Sequence, residues 1–100
     1  MKPLVIHPKA RAELDKAMAC YNRRRAGLGL DLQSEVKNTL ARISDNPSIG
    51  SPYRTTEFRF LIVHRFPYVV YYSELAEFIW IVALAHGRRR PHYWRRRQLD

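Results

Sequence analysis

The chain has 100 residues, of which 46% are hydrophobic and 27% are charged, and its formal net charge is +9. This length predicts one domain over residues 1–100 with a single hydrophobic core, and the composition excludes an intrinsically disordered chain. The single cysteine, Cys20, excludes an internal disulfide. The sequence shows no signal peptide and no run of about 20 apolar residues that could cross a membrane. We therefore expect a cytoplasmic protein that does not contact a membrane.

The first half of the chain predicts a short strand and two helices. Leu4–Ile6 is an apolar run that ends before Pro8, a residue that suits the first turn of a helix. Apolar residues then recur at helical spacing over residues 10–21, and again over residues 32–43 in a second helix with Asp31 in its first turn. Because few residues separate these two segments, we expect an αα-hairpin.

The end of the first helix carries three consecutive arginines, Arg23, Arg24 and Arg25. Positive charge at this position is favourable because the C-terminal end of a helix carries a partial negative charge. We interpret this triplet as a helix-end charge cluster.

The second half of the chain begins with an alternating segment over residues 58–66. Strand geometry would place Phe60 and Ile62 on one face and Arg59 and Arg65 on the other. The segment therefore predicts a strand with an apolar face and a basic face.

Two further strands follow, at residues 68–72 and 78–85, with Pro67 at the turn before the first of them. Residues 78–85 form the most apolar run of the chain, typical of a central strand that is buried on both faces. The element order is then β-α-α-β-β-β. It predicts an α+β fold, in which the N-terminal αα-hairpin packs on a curved, mainly antiparallel sheet and a basic C-terminal tail follows.

The tail is the most informative segment because six arginines at 88–90 and 95–97 supply six of the nine net charges. An arginine run is often only solvated, but large aromatic residues such as Tyr93 and Trp94 are uncommon in solvated tails. We predict a surface that binds an acidic partner. The candidate binding residues for such a partner are Arg59, Arg65, Arg88, Arg89, Arg90, Tyr93, Trp94, Arg95, Arg96 and Arg97.

The landmarks of the chain also carry a family resemblance. They are residues 12–14, Tyr21, 27–29, 46–47, 65–68, Tyr71, 86–91, Tyr93, Trp94 and Arg97. With these residues in this order, the chain resembles the RelE/ParE superfamily of bacterial type II toxin–antitoxin toxins, and it is closer to the ParE branch. The resemblance implies a small α+β domain and a cognate antitoxin, ParD-like or similar, whose flexible segment wraps the toxin in a hetero-oligomer.

The same resemblance implies growth arrest through one of two targets. The ParE branch poisons DNA gyrase, whereas the RelE branch cuts mRNA in the ribosomal A site. RelE-like cleavage uses Lys and Arg on the central strands, where this chain has Phe60, Ile62 and Val69. Apolar side chains cannot neutralise a phosphate, so the sequence favours a gyrase inhibitor that works by binding and has no chemistry of its own.

Two alternatives stay open at this point. If the protein is a metal-independent endoribonuclease, the candidate catalytic residues are His86, Tyr93 and Arg89. His86 also has a structural interpretation, as a cap at the end of a buried strand. A nucleic-acid-binding module would owe salt-dependent affinity to the tail, but the sequence shows no recognition helix. Neither metal-ligand spacing nor a glycine-rich phosphate loop is present, so we expect no metal and no cofactor.

Overall fold

A computed structural model describes residues 2–88 and 92–99 as two helices packed on a five-stranded sheet. The elements in chain order are β1 (Leu4–Ile6), α1 (Pro8–Arg24), α2 (Leu28–Asp45), a 3-10 helix (Pro47–Ile49), β2 (Ser51–Pro52), β3 (Arg59–Ile62), β4 (Tyr68–Glu74) and β5 (Ile79–His86). The sheet order is β1-β5-β4-β3-β2, in which β1 runs parallel to β5 and all other neighbours are antiparallel. The predicted α+β class is confirmed, and the two-residue strand β2 is an addition to it.

The residue before each helix has a side chain or a backbone conformation that favours the start of a helix. His7 caps α1, because its Nδ1 accepts a hydrogen bond of 3.0 Å from the Lys9 backbone N–H, and Pro8 follows in the first turn. The second helix begins at Leu28, earlier than the predicted start near Asp31, since Gly27 takes the left-handed conformation with φ of 88°. Within the described residues, neither helix is long and apolar enough to cross a membrane.

One face of the sheet is covered by α1 and α2. The residues of this helix-side core are mostly aliphatic, as expected where helical stripes of leucine, valine and isoleucine meet strands rich in the same residues. Its buried members are Ala17, Leu32, Val36, Ile43, Val63, Phe66, Val70, Tyr72, Ile79, Ile81 and Leu84.

The opposite face of the sheet carries a second, aromatic core. This aromatic cluster consists of Tyr53, Phe58, Trp80, Val82, Ala83 and Trp94. The register between β4 and β5 shifts so that Tyr71 faces Ala83 while Tyr72 faces Ile81, which makes Val82 the extra residue of a bulge. Val82 and Ala83 therefore both belong to the aromatic cluster, and β5 is buried on both faces as predicted.

The connection between β3 and β4 is tighter than the sequence pattern predicts. The alternation over residues 58–66 suggests one long strand, but β3 ends at Ile62. The Val63 backbone N–H donates to the Tyr68 carbonyl at 2.9 Å, and Arg65 has a φ of 72°, so the chain has already reversed direction. Arg65 is thus a turn residue and not a strand residue.

Candidate partner-binding site

The C-terminal segment folds back onto the aromatic face of the sheet instead of extending into solvent. Trp94 is only 1% exposed, and its ring lies 4.5 Å from the ring of Tyr71, 5.0 Å from Phe58 and 5.2 Å from Tyr53, measured between centroids. These are ordinary distances for stacked and edge-to-face aromatic pairs in a core. Trp94 therefore closes the protein's own core in this conformation, and its contact with a partner stays a prediction.

Glu13 of α1 anchors this segment from the other side of β5. Its carboxylate accepts hydrogen bonds from the Leu84 backbone N–H at 3.0 Å, from the Tyr93 hydroxyl, and from both terminal nitrogens of Arg97 at 3.0 Å. One of the Arg97 nitrogens also donates to the Val82 carbonyl at 2.9 Å. The arrangement, which we call the Glu13 clamp, joins α1, β5 and the tail through a two-pronged arginine–carboxylate pair.

The pKa of Glu13 reflects this environment. Burial of the side chain acts to raise the pKa, but the hydrogen bonds from Arg97, Tyr93 and the Leu84 backbone outweigh burial and hold the pKa below its ordinary value of 4.5. Glu13 is therefore ionised at neutral pH and available to Arg97. The two side chains are only 14% and 10% exposed.

Arg97 consequently differs from the other described arginines of the tail. Its guanidinium pairs with Glu13 and Val82 in this structure, and its role in binding a partner stays a prediction. Sequence reasoning did not identify Glu13 as part of the site. Glu13 is among the family landmarks at 12–14, and nothing in the sequence pattern shows that it contacts residues eighty or more positions away.

The remaining tail arginines divide by accessibility. Arg88, Arg95 and Arg96 are exposed and are the described cations of the tail that remain open to a partner. Arg89 and Arg90, which we also predicted as binding residues, lie outside the described residues. Within residues 92–99, Arg95 and Arg96 thus lie at the surface while Trp94 between Tyr93 and Arg95 is buried.

The two predicted arginines on the β3 region have neighbours of their own. Arg59 is half-buried, and its Nη1 donates to the Gly50 carbonyl at 2.8 Å. Arg65 is exposed and lies 3.8 Å from the Asp31 carboxylate and 3.9 Å from that of Glu35, so α2 offsets part of its charge. The structure therefore does not unite Arg59 and Arg65 with the tail arginines in one uncompensated patch.

The sequence of this chain matches one family model over residues 4–91, that of the ParE toxin of the type II toxin–antitoxin system parDE. The chain belongs to the ParE toxin family. A solved structure described as the chromosomal ParDE TA system from P. aeruginosa has a similar fold, with a TM-score of 0.78 at 19% sequence identity; the match covers 86% of this chain and 96% of that one. Among curated proteins, no sequence matches this chain significantly.

As a ParE-family toxin, the chain is the toxin half of a type II toxin–antitoxin pair. The histidines of its site both have local partners. His86 accepts a hydrogen bond from the Arg88 backbone N–H at Nδ1 over 3.1 Å, and its ring packs edge-on against Tyr68. His92 lies 3.0 Å from the Tyr53 hydroxyl, and burial together with Arg54 and Arg95 lowers its pKa.

The sheet face opposite the helices is where this ParE-family chain departs most from RelE-like chemistry. Phe60 packs on the aromatic cluster, Val69 is half-buried, and Ile62 is 62% exposed. These side chains offer no hydrogen-bond donor or positive charge to a phosphate. Across residues 2–88 and 92–99, no group of three potential ligands converges to hold a metal ion.

Proposed function

We propose that this ParE-family toxin arrests growth by binding DNA gyrase in the cytoplasm, without chemistry of its own, and that a cognate ParD-like antitoxin neutralises it. The observation that supports this proposal best is the apolar character of Phe60, Ile62 and Val69. RNA cleavage without a metal requires a neutralised phosphate and a general acid or base, and neither is supplied at these positions.

The structural roles of two candidate catalytic residues support the same proposal. The Tyr93 hydroxyl donates to Glu13, and the Nδ1 of His86 accepts a backbone hydrogen bond. Each group therefore helps to fix the tail on the body of the protein. A ribonuclease would need at least one of them directed at substrate, with Arg89 as the phosphate-binding cation.

Gyrase binding would use the exposed arginines of the tail. Arg95 and Arg96 project from residues 92–99, which Trp94 and the Glu13 clamp attach to the sheet, and Arg88 is exposed shortly after β5. A fixed array of guanidinium groups loses little entropy when it meets a carboxylate-rich surface. The same array would attract an acidic antitoxin segment and increase its association rate.

The deciding experiment adds the purified full chain to gyrase and relaxed plasmid. We expect supercoiling to fall and cleaved, linear plasmid to accumulate. The variant Arg88→Ala/Arg89→Ala/Arg90→Ala should lose this effect with an unchanged melting curve. A matched control, Lys9→Ala/Lys37→Ala/Arg42→Ala, removes the same charge from exposed helix positions and should keep it.

Pulse labelling after induction in cells separates the two targets. If DNA synthesis stops before protein synthesis, gyrase is the target. If protein synthesis stops first and a reconstituted ribosome shows cut mRNA, the gyrase proposal fails and the ribonuclease interpretation, with His86, Tyr93 and Arg89, replaces it.

A further inference from the structure

A series of side-chain contacts links two arginine groups that are far apart in the sequence. Arg24, at the end of α1, lies with its Cζ 5.1 Å from the centre of the Tyr21 ring, and that ring is 6.4 Å from Tyr68. Tyr68 packs at 5.3 Å against His86, whose Nδ1 accepts the backbone N–H of Arg88. An unbroken chain of contacts thus connects the helix-end arginines to the start of the tail.

A groove lies along part of this series of contacts. Its cavity has a volume of about 180 Å³, with Ala17 and Leu84 among its apolar lining and Lys16, Tyr68 and His86 among its polar lining. The lining thus includes one of the exposed cations of α1, and Arg24 follows eight residues further along the same helix. On the sheet side, Arg88 comes two residues after the lining residue His86.

The charge at this end is not compensated by the protein itself. Arg23, Arg24 and Arg25 are exposed, and in the described part of the chain no carboxylate lies within 4 Å of their guanidinium groups. Arg65 nearby differs, because Asp31 and Glu35 lie close to it. The carboxylate that lines the groove, Glu13, is already occupied by Arg97.

The helix dipole explains only part of this accumulation. The C-terminal end of a helix carries about half a negative charge. Three arginines at that end, together with Lys16 earlier on the same helix and Arg88 after β5, exceed what the dipole can balance. The excess marks a surface that is adapted to a strongly anionic partner.

We propose that this end of the molecule binds the phosphate backbone of duplex DNA. The basic end, as we call it, consists of Lys16, Arg23, Arg24, Arg25 and Arg88. Lys16 and Arg24 are about 12 Å apart along α1 at 1.5 Å per residue. The same length of DNA axis carries about seven phosphate charges at one per 1.7 Å. This proposal goes beyond gyrase binding and does not depend on it.

An acidic protein fits this surface less well than DNA does. Protein interfaces have an apolar core, whereas the large exposed hydrophobic residues of the described chain are Val5, Leu30, Ile62 and Leu99, and none of them lines the groove. Guanidinium groups form two-pronged pairs with phosphate oxygens, and Lys16 adds a point charge. Contacts of this kind recognise the DNA backbone and carry no sequence preference.

The test is fluorescence anisotropy of a labelled duplex of about 20 base pairs, titrated with the full chain at several salt concentrations. For Arg23→Ala/Arg24→Ala/Arg25→Ala we expect about tenfold weaker binding, and a slope of log affinity against log salt that is smaller by about 2 to 3. Arg88→Ala, on a different element, should reduce the slope by about 1. The control Lys9→Ala/Lys37→Ala/Arg42→Ala should change the affinity less than about twofold.

Three outcomes would overturn the proposal. The first is equal loss of affinity in the control, which would assign binding to net charge alone. The second is the absence of measurable binding at about 0.1 M salt, where non-specific DNA binding is ordinarily seen. The third is a competition result in which a polyglutamate peptide binds the basic end but does not displace the labelled DNA. That result would mean that DNA binds elsewhere and that the basic end binds an acidic protein. Because all substituted side chains are exposed, each variant should still melt in one cooperative transition, and the triple arginine variant should melt slightly earlier because it loses the helix-dipole interaction and the Arg24–Tyr21 contact.

Discussion

The two faces of the sheet are covered by different kinds of side chain, which come from different parts of the sequence. The helix-side face is covered by α1 and α2, with aliphatic residues such as Leu32 and Ile43 that are fully buried. The aromatic face is covered by the C-terminal segment, with Trp94 at its centre. A regular helical repeat supplies the first cover, whereas a single large side chain and one ion pair hold the second in place.

This difference teaches that a basic segment can cover a core and still present charge at the surface. Trp94 and Arg97 face inward, while Arg95 and Arg96 between them are exposed. The inward residues attach the backbone to the sheet, and the outward residues are positioned by it. Under the proposed function, stability and binding would be carried by different residues of one short run.

The largest expected effect comes from emptying the centre of the aromatic face. Trp94→Ala should lower the free energy of unfolding by about 4 kcal/mol, because it leaves a large cavity, and Leu32→Ala on the helix-side face should cost about 3 kcal/mol. Chemical denaturation measures both. Leu99→Ala, at a side chain that is 45% exposed, is the control and should change little. If Trp94→Ala were neutral, the tail would not be part of the core.

The next effect comes from the Glu13 clamp. Glu13→Gln keeps the shape of the side chain but removes its charge, which should lower the free energy of unfolding by about 2–3 kcal/mol. Asp15→Asn, at an exposed position of the same helix, is the matched control. A double-mutant cycle with Arg97→Gln should show strong coupling between the two residues. Additive effects would mean that the pair does not join α1 to the tail.

A smaller effect is the pH dependence of the same clamp. Because the pKa of Glu13 is depressed in the folded protein, its stabilising contribution is fully present above about 4.5 and is lost as the pH falls toward the folded pKa. The difference in unfolding free energy between the native chain and Glu13→Gln should therefore shrink as the pH falls below the ordinary pKa of 4.5 and through the depressed pKa of the folded protein. Urea titrations at a series of pH values measure it. A constant difference would contradict the depressed pKa.

The smallest effect on stability is expected at the outward arginines. Arg88→Ala/Arg95→Ala/Arg96→Ala should change the free energy of unfolding by less than about 0.5 kcal/mol per site, since these side chains are exposed. Toxicity on induction should nevertheless be lost, as measured by colony counts. Full toxicity of this variant would mean that the functional surface lies elsewhere. The C-terminal segment that covers the aromatic face would then have a structural role only.

The sequence predicts local features of this protein better than distant contacts. Helical spacing identifies both helices, and the apolar run at 78–85 identifies β5, because burial of these segments repeats along the chain. The sequence pattern does not predict β2, because a strand of two residues is too short to show an alternation of apolar and polar side chains. Trp94 and Arg97 are assigned to the wrong environment because their burial depends on Tyr71 and Glu13, to which no local pattern points.

The parallel pairing of β1 with β5 has a consequence for how the toxin folds during its synthesis. Leu4 pairs with Ile79, so the first strand has no partner in the sheet until β5 has been synthesised. Closing so long a loop is slow compared with forming a local helix hairpin. During translation at about 5–20 residues per second, the hairpin can form within seconds, whereas β1 can pair only after β5 has left the ribosome. A nascent chain that has not yet reached β5 should therefore lack the sheet that supports the tail, and toxicity should appear only after β5 has been made.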